Sequence, residues 1–116
     1  MSRVTENEKG GNHLDDSCLT RAISIVEQRG QQYGHPLDVY TKAASILTGV
    51  LQEKLQPGMH LVAEDVAMIQ LGLKLGREAG RHLQDNVDDI CGYAWVLEAI
   101  IEERKRREAP SGLRPS

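Results

Sequence analysis

The chain has 116 residues, a length that suits one domain and leaves no room for a second. Hydrophobic residues make up 40 % of it, but aromatic residues only 3 % and phenylalanine is absent, so the core must consist of aliphatic side chains, which suits helices better than a β-sandwich. A formal net charge of −3 and an isoelectric point of about 5.8 argue against a general nucleic-acid binder, because such proteins present a basic face.

Residues 1–15 are rich in charge and poor in apolar side chains, so we expect a disordered or loosely docked arm. A helical domain follows at 16–109. Its first helix begins after Asp16 or Ser17, either of which can cap it, and ends at Gly30, a residue suited to a left-handed C-terminal cap. The apolar positions of this helix recur at i, i+3, i+4 and i+7: Leu19, Ala22, Ile23 and Val26.

The next two helices differ in how their apolar residues are distributed. The second carries a single buried stripe and ends at Pro57–Gly58. Its stripe consists of Leu37, Tyr40, Ala44, Leu47, Leu51 and Leu55. The third, at about 63–80, is apolar on nearly all sides, which predicts a central position. Gly72 and Gly76 weaken it by roughly 1 kcal/mol each relative to alanine, but they would allow a neighbour to approach closely.

The fourth helix starts near Asp85, with Asp85 or Asn86 as its N-terminal cap, and runs to about Glu108. We expect a flexible tail at 110–116. Four helices of this length predict a small all-α bundle. The fourth helix, at about 24 residues or roughly 36 Å, exceeds the expected diameter of the domain. The third has more apolar surface than two neighbours can cover, so we expect a homo-oligomer.

The same sequence features predict where the protein resides. Cys18 and Cys91 are two thiols in a chain without the apolar segment of a signal peptide, which predicts a reduced, cytoplasmic protein. No apolar run approaches the roughly 20 residues needed to span a bilayer, so no membrane partner is expected.

Five residues of the third helix recur at three- and four-residue spacing and therefore share a face: Ala67, Gln70, Lys74, Arg77 and Arg81. The two arginines would offer forked donors to a phosphate group, and Lys74 a point charge. The alternative is that Lys74 reaches solvent or forms an ion pair with the next helix.

Acidic residues on the third and fourth helices form a second candidate set. Asp88 is explained as a favourable acid in a first turn, whereas Asp89 lies beside the buried seam. Opposite Lys74, Asp89 would form a buried ion pair; opposite other carboxylates it would hold Mg²⁺ through oxygen ligands. The candidate Mg²⁺ ligands are Glu64, Asp65, Asp85 and Asp89. Glu64 and Asp65 also suit the first turn of a helix without any functional role.

The segment at 29–36, Arg-Gly-Gln-Gln-Tyr-Gly-His-Pro, contains a short predicted loop. A turn accounts for its glycines and proline, but it does not require Arg29, Tyr33 and His35 together. These three side chains would stack on a base and contact phosphate, unless the segment is only a turn. The chain shows no Ser-His-Asp or Cys-His nucleophile pattern and no zinc spacing.

Three motifs in order resemble a family of small phage-encoded helical proteins without a settled function. They are R-G-x-x-Y-G-H-P at 29–36, E-D-V-A at 64–67 with Lys74 and Arg77, and D-N-x-x-D-I-x-G-Y-A at 85–94. The last two motifs are also distantly similar to the all-α NTP pyrophosphatases, the MazG-like superfamily. That resemblance implies a small, oligomeric, MazG-like four-helix bundle.

The MazG-like enzymes use a Glu-x-x-Glu plus Glu-x-x-Asp set with Mg²⁺ to split nucleoside triphosphates. Here Asn86 stands where one of those glutamates is expected, if Asp89 is aligned with the final aspartate. On the preceding helix, Ala67 follows Glu64 by three residues, so a second acid of the set is absent there. A smaller number of carboxylates weakens cation binding.

Three alternative functions are compatible with the sequence. The leading one is binding, without turnover or a cofactor, of a phosphate-bearing nucleotide, by analogy with phage proteins that sequester nucleotide immune signals. Its ligand residues would be Arg29, Tyr33, His35, Lys74, Arg77, Arg81 and Asp89. The second is a Mg²⁺-dependent nucleotide pyrophosphohydrolase, in which the metal polarises phosphoryl oxygens and activates water. The third is a structural or protein-interaction bundle.

Overall fold

A computed structural model describes residues 13–109, which form four α-helices and, within that range, no strand. The helices are α1 (Cys18–Tyr33), α2 (Pro36–Val50), α3 (Ala63–Gly80) and α4 (Gln84–Glu108), and short 3₁₀ helices at Leu14–Asp16 and Gln52–Lys54 precede α1 and follow α2. The all-α prediction is confirmed. Residues 1–12 of the expected arm and the expected tail at 110–116 lie outside the described residues.

The first helix does not end at Gly30, as predicted, but continues to Tyr33. Gly34 N–H donates to the Gly30 carbonyl at 3.0 Å, and it is Gly34 that takes the left-handed φ of 87°. One interior glycine costs only about 1 kcal/mol, which the surrounding helix tolerates. Pro36 imposes the stop, because a residue that precedes proline is disfavoured in the helical conformation, and His35 is accordingly extended.

The second helix is shorter than predicted, because α2 ends at Val50 and the chain as far as Lys54 tightens into a 3₁₀ turn. Leu51 still donates to the Leu47 carbonyl, but Leu55 is extended. The returning loop is fixed by Thr48, whose Oγ1 accepts a hydrogen bond from Leu61 N–H at 2.9 Å. The early end of α2 thus lets the chain return beside its last turn.

The core lies where α2, α3 and α4 meet. Its buried residues are Leu37, Ala63, Ala67 and Ile100, with Tyr40, Val96 and Leu97 packed against them. Ile100 is the largest side chain with no exposure. Alanines on α3 allow α4 to lie close, and the first turn of α3 is also tied to α4, because the Arg104 guanidinium donates to both oxygens of Glu64 at 2.9 and 2.7 Å.

The start of α4 corrects the prediction that Asp85 or Asn86 caps this helix. Leu83 occupies the cap position and has no side-chain acceptor. Glu78, from the preceding helix, accepts hydrogen bonds from Leu83 N–H at 3.1 Å and from the buried amide of Asn86 at 3.2 Å. A tertiary contact therefore replaces the local cap.

One side of α3 is uncovered, which corrects the prediction of a central helix. We call this side the outer face of α3; it comprises Met68, Ile69, Gly72, Leu73, Leu75 and Gly76. Its four large side chains are about half exposed, and a Cβ atom added at either glycine would meet nothing within 4 Å. Among residues 13–109, no neighbouring element therefore approaches α3 closely at these two glycines. Among residues 13–109 no helix is long and apolar enough to cross a bilayer.

Candidate functional site

A cleft of about 740 Å³ opens between the end of α1, the start of α2 and the first half of α4. Pockets for small molecules in proteins commonly measure 300–1,000 Å³. All four aromatic residues of the chain line this cleft: Tyr33, Tyr40, Tyr93 and Trp95. In a protein with so few aromatic side chains, this concentration in one place indicates a surface on which a planar ligand could stack.

The connection from α1 to α2 positions three of the predicted site residues in the cleft. Arg29 and Tyr33 lie in the last turns of α1, and His35 caps α2. His35 Nδ1 accepts a hydrogen bond from Leu37 N–H at 3.0 Å, so the neutral ring carries its proton on Nε2, which is left as a donor. The segment is therefore mostly helix with a two-residue link rather than the predicted loop.

Tyr40 and Gln70 form a hydrogen-bonded pair in the cleft, with Tyr40 Oη donating to Gln70 Oε1 at 2.5 Å. Burial raises the pKa of Tyr40 to about 12; the nearby Tyr93 phenol acts in the same direction, and the positive charge of Arg29 opposes it. Tyr40 therefore stays protonated at neutral pH, and Arg29 lies within electrostatic reach of it.

Asp89 lines the cleft and is paired with Lys74. The Lys74 Nζ atom lies 2.8 Å from Asp89 Oδ2, and both side chains are largely shielded from solvent. Of the partners considered for Asp89, the structure thus places the lysine beside it. The pair joins α3 to α4 at the edge of the cleft.

Asp88 is a site residue that sequence reasoning explained as a first-turn acid. Its side chain is only 8 % exposed, and it accepts hydrogen bonds from Arg21 Nε at 2.9 Å and Gln84 Nε2 at 3.1 Å. Burial by itself would raise the pKa of Asp88, but these two hydrogen bonds outweigh it and hold the pKa below its ordinary value. Asp88 therefore lines the cleft as an ionised carboxylate whose charge is balanced by Arg21.

Two glycines leave space in the cleft. Gly30 in α1 and Gly92 in α4 both line it, and a Cβ atom at either position would meet nothing within 4 Å. Glycine inside a helix costs about 1 kcal/mol relative to alanine, and no contact in the described part of the chain requires it at these positions. Both glycines therefore leave wall space that a larger side chain at either position would enter.

Two predicted cationic residues lie elsewhere. Arg77 and Arg81 are exposed at the C-terminal end of α3 and do not line the cleft. The prediction that both share a helix face with Lys74 fails for Arg81, because α3 ends at Gly80 and Arg81 has an extended backbone. The cleft itself lies towards α1 and α2.

The candidate Mg²⁺ ligands are not brought together. Glu64 is bound by the Arg104 guanidinium, whose hydrogen bonds lower the pKa of Glu64, and Asp65 accepts a hydrogen bond from Val62 N–H at the start of its own helix. Asp85 is exposed, and Asp89 faces Lys74. Across residues 13–109 no group of three or more His, Cys, Asp or Glu side chains is placed to hold a metal ion. The donor set described therefore does not fit a Mg²⁺ centre.

Comparison with known proteins finds relatives in mycobacteriophages. The family model "Domain of unknown function (DUF6378)" matches residues 17–101. The chain is 41 % identical over 87 residues to the Gene 55 protein of Mycobacterium phage L5, covering 72 % of this chain and 52 % of that protein. It is 28 % identical over 92 residues to the Gene 55 protein of Mycobacterium phage D29, covering 78 % and 57 % respectively. The predicted resemblance to a phage family of unknown function is confirmed.

The chain spans somewhat more than half the length of these two relatives. No solved structure matches it.

Proposed function

The chain belongs to the DUF6378 family, and we propose that it binds a phosphate-bearing nucleotide in the cleft without hydrolysing it. The observation that supports this most strongly is the position of all four aromatic side chains around one opening. Stacking of a nucleobase on aromatic side chains is worth about 1–3 kcal/mol per base. Such a cleft suits a planar heterocycle better than an aliphatic ligand.

In this proposal Arg29 and His35 contact the phosphate. The guanidinium offers forked donors, and the His35 ring offers Nε2–H. Both residues line the cleft, and His35 is the N-terminal cap of α2. Tyr33 stacks on the base, and the Lys74–Asp89 pair fixes the α3 side of the cleft or meets a ribose hydroxyl through Asp89. Arg77 and Arg81 have no contact with the ligand.

The first test is a thermal melt of the purified protein with ribo- and deoxyribonucleotides and cyclic nucleotides, each with and without Mg²⁺. A ligand at 100 times its Kd should add about 2.7 kcal/mol to the free energy of unfolding. Trp95, the single tryptophan, lies in the cleft, so its fluorescence gives a second readout. Chromatography should recover the bound ligand intact.

The space at Gly92 gives the matched variants. Gly92→Ala should raise the free energy of unfolding by up to about 1 kcal/mol, because its Cβ meets nothing. Gly92→Leu should project into the cleft, obstruct the ligand and abolish the ligand-dependent rise in melting temperature. Gly49→Leu, on α2 away from the cleft and equally uncrowded, should retain it. If the ligand raised the melting temperature of Gly92→Leu as much as that of the wild type, the ligand would not bind in the cleft.

Mg²⁺-dependent pyrophosphate release, suggested by the distant MazG-like likeness, is the alternative. No observation on the described residues favours it, since Glu64 and Asp65 are engaged by Arg104 and by the backbone of α3. Conversion of a bound triphosphate to monophosphate and pyrophosphate, lost on adding EDTA, would establish it against binding alone. In either case we propose action in the cytoplasm, where free nucleotides are present.

We also propose that the chain self-associates through the outer face of α3. Asp65 lies in the first turn of this helix and Arg77 in its last turn, with Arg81 directly after it, so two antiparallel copies would bring residues of opposite charge together. Such pairing about a twofold axis is the commonest closed arrangement of identical chains. Gly72 and Gly76 would then permit a close approach that no neighbour among the described residues makes.

Leu73→Lys tests this surface. A lysine in the middle of the outer face should convert a dimer to a monomer in sedimentation velocity at micromolar concentration, while the helical circular dichroism stays unchanged because Leu73 is 52 % exposed. Ile46→Lys, at an exposed position on α2, is the control and should remain dimeric. A wild-type monomer at these concentrations would refute self-association.

A further inference from the structure

The charges around the cleft limit how many phosphate groups its ligand can carry. Four residues with fixed charge line it: Glu27, Arg29, Asp88 and Asp89. Three of these are acidic. Arg29 is the one lining residue with a fixed positive charge among those that the structure describes.

Asp88, which is buried, and Asp89, which is largely shielded, are already balanced by cations from outside the lining. Arg21 donates to Asp88, and Lys74 lies 2.8 Å from Asp89. A phosphate that took either cation for itself would leave a carboxylate unpaired in a shielded position, which is costly. The cations of these pairs are therefore not free for a ligand, and Glu27 adds a negative charge at the wall.

From this charge balance we infer that the cleft takes a nucleoside carrying a single phosphate group, and that it discriminates against nucleoside di- and triphosphates. This inference rests on the proposed function and specifies its ligand class. Arg29 and the Nε2–H of His35 suffice to bind one phosphate. A triphosphate chain carries about four negative charges, and proteins meet it with several cations or a metal ion. The described lining offers one cation.

The apolar share of the lining supports the same conclusion. Beyond the aromatic side chains, the walls contain Ile25, Val26, Val39 and Val96. These surfaces favour the base and sugar, and they disfavour a long, highly charged tail that would lose its hydration there. Recognition should thus come from the nucleoside part, with Arg29 adding the preference for one phosphate.

The test is to titrate the protein with nucleosides and nucleotides in the absence of Mg²⁺, and to follow binding by Trp95 fluorescence and by calorimetry. Four series are used: adenosine, guanosine, cytidine and uridine, each with its 5′-mono-, di- and triphosphate. For the base that binds, the monophosphate should bind about tenfold or more tightly than the nucleoside. The di- and triphosphates should bind no more tightly than the monophosphate. Arg29→Ala should weaken monophosphate binding towards the affinity of the nucleoside, because only the His35 contact to the phosphate remains, and it should leave the nucleoside unaffected. Arg81→Ala, an exposed arginine away from the cleft, should change neither.

The outcomes separate this inference from the proposed function. A triphosphate that binds about tenfold more tightly than its monophosphate would overturn the single-phosphate inference and leave nucleotide binding in the cleft intact. Equal affinity for nucleoside and monophosphate would also overturn it, because Arg29 would then contribute no phosphate contact. Absence of binding by all four series, together with no response to the deoxyribonucleotides and cyclic nucleotides of the thermal melt, would overturn the proposed function itself.

Discussion

Replacement of Ile100 by alanine is expected to lower the free energy of unfolding by about 2–5 kcal/mol. Ile100 has no exposed surface and lies in the cluster that joins α2, α3 and α4. Two of its buried neighbours in the cluster, Ala63 and Ala67, are already as small as a side chain with a Cβ can be. They cannot extend into the space that the isoleucine leaves, so the cavity should persist and the loss should lie in the upper part of the range.

Ile46→Ala provides the matched control, because it makes the same chemical change on an exposed face of α2 where 67 % of the residue is in solvent. Its expected effect is within about 0.5 kcal/mol of zero. Both variants should be unfolded in urea at one fixed protein concentration, since self-association would contribute to apparent stability. A loss at Ile100 no larger than at Ile46 would contradict the described core.

Helix positions were the most predictable part of the fold. The apolar spacing and the flanking residues gave α3 as about 63–80, which agrees with the structure. Ends were predictable only where one residue alone could stop the helix. At the end of α1, either Gly30 or Gly34 could terminate the helix. Pro36 fixes the end at Gly34, because it disfavours the helical conformation at the preceding residue, His35. At the start of α4 the acceptor comes from Glu78 in another helix, which no local pattern indicates.

The site was predictable only in part, because its residues come from distant parts of the chain. Arg29, Tyr33 and His35 lie close together in sequence and stand out as an unusual group, and all three line the cleft. Lys74 and Asp89 could be considered as partners because consecutive helices pack against each other. The scarcity of aromatic residues was a further signal: had all four been treated as one set, Tyr40, Tyr93 and Trp95 would have been grouped with Tyr33.

The pairing of Arg21 with Asp88 had no sequence signal, since the two residues are 67 positions apart. Asp88 had a sufficient local explanation as an acid in a first helical turn. Its near-complete burial becomes visible only once α1 lies against α4. Loss of the arginine from this pair should lower the stability of the fold, because it would leave a carboxylate that is shielded from water without its cation.

Arg21→Ala is expected to lower the melting temperature by several degrees at pH 7, because it leaves the Asp88 carboxylate buried with Gln84 as its remaining hydrogen-bond donor. In the wild type the pKa of Asp88 is below its ordinary value. The pair therefore stabilises the fold above about pH 4, and this contribution is lost as the pH falls through the lowered pKa. In the variant, burial acts without the arginine and should raise the pKa of Asp88. The difference in melting temperature between the two proteins should thus shrink from pH 7 towards pH 3.

The double variant Arg21→Ala/Asp88→Asn separates the buried charge from the packing of the arginine. Asparagine keeps the shape of the side chain and can still bond to Gln84, but it carries no charge to be stranded. The double variant should therefore be more stable than Arg21→Ala alone at pH 7, with a melting temperature that changes little between pH 7 and pH 3 through this site. If Arg21→Ala were equally destabilised at both pH values and not rescued by Asp88→Asn, the arginine would act through packing of its stem, and the charge pairing between α1 and α4 would have no part in holding the cleft together.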